Sequence, residues 1–226
     1  MTALGGRRWP EVEGAPTLLV PVGSLEQHGP HLPLDTDARV AAAVAAGTGE
    51  LVAPVVAYGA SGEHETFPGT VSIGTDVLRA VLVEVGRSAC RWAGRLVLVN
   101  GHGGNAAAVA SAVRLLRDEG RDVAWWPCAV PGGDAHAGRT ETSLLLALDP
   151  GAVALDRAEP GNQAPVASLM PAMRAGSVRA VSPNGVLGDP AGASADEGRR
   201  LLADLVARLR AALDGGSVDR TGRLVR

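Results

Sequence analysis

No lysine occurs in the 226-residue chain, so all 21 basic side chains are arginine. With alanine and glycine so abundant, this absence reads as a GC-rich coding sequence and carries no functional meaning. There is no block of like charge, and the net charge of -3 leaves no basic footprint for nucleic acid. Residues 1–14 are polar, contain Pro10 and lack the apolar stretch of a signal peptide, and no apolar run approaches a membrane span. The expectation is a cytoplasmic protein that engages neither membrane nor nucleic acid. Cysteine is scarce too: Cys90 and Cys128 have neither C-x-x-C spacing nor the density of a disulfide scaffold, and read as buried thiols. Internal repeats and linkers are also missing, so a single domain over residues 1–226 is expected, with loose termini at 1–14 and 215–226.

What is present is a regular alternation. Short apolar runs at Leu18 to Val22, Leu51 to Val56, Arg95 to Asn100 and Asp122 to Trp126 read as strands. Helical stretches separate them: Asp37 to Ala46, a segment capped by Thr75 with Val77, Leu78, Val81, Leu82 and Val85 on one face, and one carrying Val109, Val113 and Leu116. Glu141 to Leu148 and a final amphipathic helix with Leu201, Leu205, Leu209 and Leu213 follow, the latter opened by a capping box of Ser194 and Glu197. Strands recurring roughly every 40 residues between helices predict an α/β fold, a three-layer α/β/α sandwich around a mainly parallel sheet. Residues 151–193, rich in proline and glycine, show no clear period and read as a functional or interfacial stretch.

The chemistry concentrates after the first strand. If Leu25 to His28 is extended, Glu26 and His28 project to the same side. The loop returns through Pro30 and Pro33 and delivers Asp37 to the mouth of the next helix. Glu, His and Asp converging in this way suit Zn²⁺, Mn²⁺ or Fe²⁺. Singly, each has an ordinary alternative: Glu26 as an ion-pair partner, His28 as a hydrogen-bonded loop histidine, Asp37 as a helix cap. Convergence favours the metal, because His102 ends the central strand and His136 and Glu141 stand at another loop-to-helix junction of the same sheet edge. Gly103 and Gly104 let backbone approach a substrate or, equally, let the helix pack tightly on the strand. Glu63 and His64 sit in a glycine-rich loop suited to substrate or subunit contact, and Trp126, with Trp125, suits a substrate wall or the core. His31 fits a supporting role, holding a ligand carboxylate from behind, or a plain hydrogen bond within the loop.

Three motifs, E-x-H-G-P-H-L-P-L-x-T-D from Glu26 to Asp37, N-G-H-G-G-N from Asn100 to Asn105 and H-A-G-x-x-E-T-S from His136 to Ser143, resemble those of the creatininase (creatinine amidohydrolase) family. The loop from Tyr58 to Thr70 is most similar to the mycofactocin precursor peptide peptidase branch, and the resemblance spans about Leu18 to Leu213. It implies two divalent ions per subunit, Zn²⁺, Fe²⁺ or Mn²⁺, with Glu26, His28, Asp37 and His102 as ligands and Asp37 bridging. The best-known creatininases carry a glutamate where this chain has Gly104, and Glu141 is the candidate replacement. The implied reaction is amide hydrolysis by a homo-oligomeric enzyme, with His136 protonating the departing amine. In the branch, the substrate is a modified precursor peptide that releases its C-terminal Val-Tyr dipeptide. Creatinine or a formamide as substrate is the nearest alternative. A dimetal phosphoesterase, whose D-x-H order is absent here, and a non-catalytic metal scaffold are more remote.

Overall fold

A computed structural model describes residues 3–225. Its sheet contains β1 (Thr17–Val22), β2 (Leu51–Val52), β3 (Arg95–Asn100) and β4 (Val123–Pro127) in the order β2-β1-β3-β4, every neighbouring pair parallel. β1 and β3 are apolar nearly throughout because both of their faces are covered. Leu18, Val20, Val22, Leu96 and Leu98 point into one core, while Leu19, Val97 and Val99 point into the other, as the two-residue strand period requires.

Helices α2 (Gly74–Ala89) and α3 (Ala106–Asp118) close the first face. The second is closed by α1 (Thr36–Gly47), α4 (Arg139–Leu148) and α6 (Ala195–Gly215). The expected three-layer α/β/α arrangement with its parallel sheet is therefore present. A further helix, α5 (Val166–Gly176), lies in the stretch that showed no period; Pro171 inside it masks its pattern. Among the described residues, no helix is long and apolar enough to cross a membrane.

Several boundaries differ from expectation for identifiable reasons. The second strand pairs over only two residues, followed by a single bridge between Val22 and Val56. Helix α2 buries Leu78, Leu82, Val83 and Ala89, but Val77 and Val81 are exposed at 54% and 37%. The buried stripe is rotated because Gly86 admits the Leu116 side chain of α3 where a Cβ would collide. Thr75 does not cap α2, since Gly74 already begins it with Ile73 at the cap position. Ser194 accepts a hydrogen bond from the Glu197 N–H, but the Glu197 carboxylate turns to Arg139 and Ser143, each at 2.8 Å. Half of the expected capping box thus becomes a tie between α6 and α4.

Neither terminus is simply a loose arm. Short 3₁₀ turns at Leu4–Gly6 and Trp9–Glu11 precede β1, with Leu4 packed on the first core and Trp9 exposed. At the other end the chain runs beside β4: Leu224 donates to the Trp125 carbonyl at 2.8 Å, and Trp125 donates to that of Gly222 at 3.0 Å. Leu224 is buried in the second core. This segment covers the open edge of β4, which would otherwise present unpaired backbone groups.

Candidate metal centre

The chain leaves β1 for α1 on one face of the sheet and leaves β3 for α3 on the other. Loops at the carboxyl ends of β1 and β3 therefore diverge, opening the crevice in which parallel α/β sheets hold their ligands. Glu26, His28 and Asp37 enter it from β1 and His102 from β3. His136 comes from the β4–α4 connection and Glu141 from the first turn of α4. Gly101 makes the approach possible, since a Cβ there would strike the Asp37 backbone carbonyl. Gly101→Ala is accordingly expected to cost about 1–3 kcal/mol through overpacking. A wild-type melting temperature for that variant would contradict the close approach.

The hydrogen bonds decide which nitrogens face the centre. A carbonyl can only accept, so His28 Nδ1, 3.1 Å from the Glu26 carbonyl, carries a proton. His28 Nε2 is turned to Asp37 Oδ1 at 3.3 Å and to Glu141 Oε2 at 3.9 Å. In the same way His102 Nε2 donates to the Ala60 carbonyl at 3.2 Å. Its Nδ1 lies 3.1 Å from Glu26 Oε1 and 3.3 Å from Asp37 Oδ2. Ligand atoms of Glu26, Asp37 and His102, and likewise of His28, Asp37 and Glu141, fall within 4.8 Å of one another, so Asp37 belongs to both trios. A third trio is Glu26, His28 and His136.

The donor set fits divalent ions on a structural criterion of its own. Both oxygens of the fully buried Glu26 carboxylate lack a hydrogen-bond partner, although imidazole nitrogens stand 3.1 and 3.3 Å away. An unpaired buried carboxylate is costly, and a cation between these atoms offsets that cost. Ser24 donates to Asp37 Oδ2 at 2.7 Å and fixes the shared carboxylate.

With the ions chelated away, protons would hold the cluster together. Burial disfavours charge on His28, yet Asp37, Glu141 and Glu26 hold its pKa up at about 10. His102 is raised likewise, burial being outweighed by Glu26 and Asp37. Against the same burial, His102, with His64 adding to it, keeps Glu26 down at about 2. Burial pushes Glu141 up to about 7 despite His28. A raised histidine stabilises the fold below its unfolded value of about 6.5 and loses that contribution as pH rises through the folded value. Glu141, raised as an acid, adds to the same alkaline loss between about 4.5 and 7. Glu26 contributes above about 4.5 and is lost only as pH falls towards 2. The chelated protein should therefore melt at progressively lower temperature from pH 6 to pH 10, while zinc-loaded protein holds its melting temperature, because the ions replace the protons. A flat profile for the chelated form would contradict this charge arrangement.

His136 is buried, and that burial, beside His28 and His64, pushes its pKa well below the ordinary imidazole value. Its Nε2 donates to the Gln27 carbonyl at 2.7 Å, leaving Nδ1 bare, 3.9 Å from Glu26 Oε1. The loop is locked by paired backbone bonds between His136 and Leu187 at 2.9 and 3.2 Å. The adjoining Ala137 takes a left-handed φ of 52° and donates its N–H to Glu141 Oε2 at 2.6 Å. Residues 151–193 are thus partly explained: Leu187 fixes His136, Gly185 accepts from the Gln27 side chain, and Ala154 donates to the His31 carbonyl.

A cavity of 360 Å³ opens onto the cluster, lined among others by Asp37, His102, Gly103, Trp125, Cys128, His136, Glu141 and Arg223. Trp126 is placed elsewhere: strand alternation turns it into the second core, with the Arg208 guanidinium 5.9 Å from its ring centroid. Gly104 does not line the cavity, since a Cβ there would meet His102 Nε2, the Ala60 carbonyl and the Glu63 carboxylate. Glu63 Oε1 stands 3.5 Å from His102 Nε2, and His64 is buried, 3.3 Å from Glu26; neither lines the cavity. His31 reaches the Thr142 hydroxyl at 2.9 Å and touches no ligand carboxylate directly.

Ser24, Gln27 and the two asparagines of N-G-H-G-G-N also belong to the site, with roles that only their partners in the fold reveal. Asn100 donates to the His102 carbonyl at 2.7 Å. Asn105 accepts from Ala60 N–H at 2.8 Å and donates to the Gly23 carbonyl at 2.9 Å. Together they hold the two loops that converge on the centre. The repeated Asn at either end of a glycine-rich strand exit was the available signal.

Residues 6–213 match the sequence model of the creatininase (creatinine amidohydrolase) family. The mycofactocin precursor peptide peptidase of Mycolicibacterium smegmatis is 58% identical over 219 residues, covering 92% of this chain and 89% of that protein. Creatinine amidohydrolase of Pseudomonas putida is 35% identical over 193 residues, covering 68% and 74%. Among solved structures, a mutant creatininase superposes with a TM-score of 0.77 at 30% identity, covering 95% of this chain and 98% of that one. Neighbours described as a Zn-Zn type and as a manganese creatininase each give 0.75, at 30% and 29% identity, covering 95% of this chain and 97% and 98% of theirs. Fold, cluster and sequence agree that this chain belongs to the creatininase family.

Proposed function

We propose that the chain is a dinuclear metal-dependent peptidase that releases the modified C-terminal Val-Tyr dipeptide from a mycofactocin precursor peptide. The observation that carries this reading is 58% identity to a peptidase of that name across 92% of the chain. The creatinine amidohydrolase stands much further off, at 35%, which favours a peptide over a cyclic amide. One ion is assigned to His28, Asp37 and Glu141, the other to Glu26, Asp37 and His102, with zinc, iron(II) or manganese as the candidates. Glu141 then takes the place of the glutamate that Gly104 replaces.

Bound there, the ions supply Lewis acidity and lower the pKa of water to near neutrality. The remaining work falls to the protein. A peptide end would enter the cavity between Trp125 and the cluster, and Gly103 exposes backbone in the 3₁₀ turn that precedes α3. His136 is neutral, with Nδ1 bare, so it first takes the proton of the attacking water and then hands it to the departing amine nitrogen. Burial thus makes it an acceptor before a donor, where the sequence reading assigned it the donor role alone. The exposed Val77, Val81 and Trp92 support self-association into a homo-oligomer, for which light scattering is the test. A cytoplasmic location accords with the absence of a spanning helix among the described residues.

Mass spectrometry of the modified precursor peptide, incubated with metal-loaded and with chelated protein, tests the reading. Metal-dependent release of the C-terminal fragment is the expected result. An intact peptide in the presence of bound metal would overturn it and turn attention to creatinine and formamides.

A further inference from the structure

Gln27 lies between the proposed ligands Glu26 and His28, yet its side chain turns away from the cavity and is buried. Two backbone groups fix the amide's orientation. Its Oε1 accepts from Gly29 N–H at 2.9 Å, and its Nε2 donates to the Gly185 carbonyl at 3.1 Å. Gly185, at φ 81°, sits so close that a Cβ would overlap the amide. The second Nε2 hydrogen has two imidazole nitrogens within reach: His64 Nδ1 at 2.8 Å and His136 Nε2 at 3.1 Å. His136 Nε2 is already a donor, to the Gln27 carbonyl at 2.7 Å, so it cannot accept. The hydrogen goes to His64 Nδ1. The proton of the neutral His64 ring is therefore on Nε2, which faces Glu26 Oε1 at 3.3 Å.

From this geometry we infer that Gln27 and His64 are positioning residues: the Gln27 amide sets the His64 tautomer, and the positive Nε2–H end of the His64 ring, 3.3 Å from Glu26 Oε1 in a charge–dipole contact rather than a hydrogen bond, steadies the Glu26 carboxylate at its metal. Metal-ligating carboxylates are commonly oriented by polar groups outside the ligand set. His64 then belongs behind the ligand rather than against substrate, consistent with its burial and its absence from the cavity wall. The same residue holds the two histidines by different atoms, His64 by its side chain and His136 by its backbone carbonyl. Changing the Gln27 side chain should move one and spare the other. The inference rests on the metal-site reading above.

Nitrogen NMR of histidine-labelled, zinc-loaded protein tests the tautomers. In the wild type His64 should carry its proton on Nε2. In Gln27→Glu, which has no hydrogen to offer, the proton should move to Nδ1 while His136 keeps its own on Nε2. Zinc affinity supplies an independent readout that does not depend on Gln27→Glu folding. His64→Phe should weaken zinc binding about 10- to 100-fold. His64→Gln, which restores an N–H near the Nε2 position, should recover affinity to within a few-fold of wild type. Zinc titration of the wild type comes first, because failure to bind there would sink the metal reading itself. Given wild-type binding, the inference is overturned by a His64 proton on Nδ1 in the wild type, or by a His64→Phe protein that binds zinc as tightly and is altered only in KM.

Discussion

Asp37→Asn is expected to empty both ion positions and to lower peptide turnover by about 10³-fold or more, the effect of losing several kcal/mol of transition-state stabilisation. Asp37 is the one side chain shared by the two trios, with Oδ1 turned to His28 and Oδ2 to His102. An amide in its place presents a neutral oxygen to one ion and an N–H to the other. It also sets an N–H against the Ser24 hydroxyl, which now donates to Oδ2. Elemental analysis after dialysis reads the loss directly. A variant that retains two ions per chain would show that the centre does not depend on a shared carboxylate.

His136→Ala should behave differently, keeping both ions while losing about 10²- to 10⁴-fold in turnover, the range for removing a general acid–base group. The distinction matters because His136 also forms a trio with Glu26 and His28. If the variant loses metal, His136 is a ligand; if it keeps metal and full turnover, the proton-transfer role is wrong. Its bare Nδ1 and its depressed pKa lead to the first expectation, with metal retained and turnover lost.

How much of this was readable from residues alone follows from where the physical signal lies. β1 and β3 announced themselves because strands covered on both faces are apolar nearly throughout, Thr17, Arg95 and Asn100 standing only at their ends. The ligand loop was legible because Glu26, His28 and Asp37 are close in sequence and sit at a strand exit, where parallel sheets keep their chemistry. The C-terminal strand-like segment was not, since Leu224 is its main core contact and Gly222 and Arg223 resemble any surface tail. For Trp126 the sequence leaves substrate wall and core both open, because its place beside the ligand edge suits either; strand alternation decides for the core, since Trp125 and Trp126 face opposite sides of the sheet. Gln27 was overlooked because an amide acquires a role only from its partners, here Gly185, His64 and His136, which lie 37 to 158 residues away. The depressed pKa of His136 has the same origin, in neighbours brought up by the fold.

The most direct test of the two-ion centre is anomalous diffraction at the zinc edge from crystals of the zinc-loaded protein. Two peaks are expected in each subunit, one on His28, Asp37 and Glu141 and one on Glu26, Asp37 and His102, with Asp37 common to both. A single peak, or a second ion held without Glu141, would contradict the account.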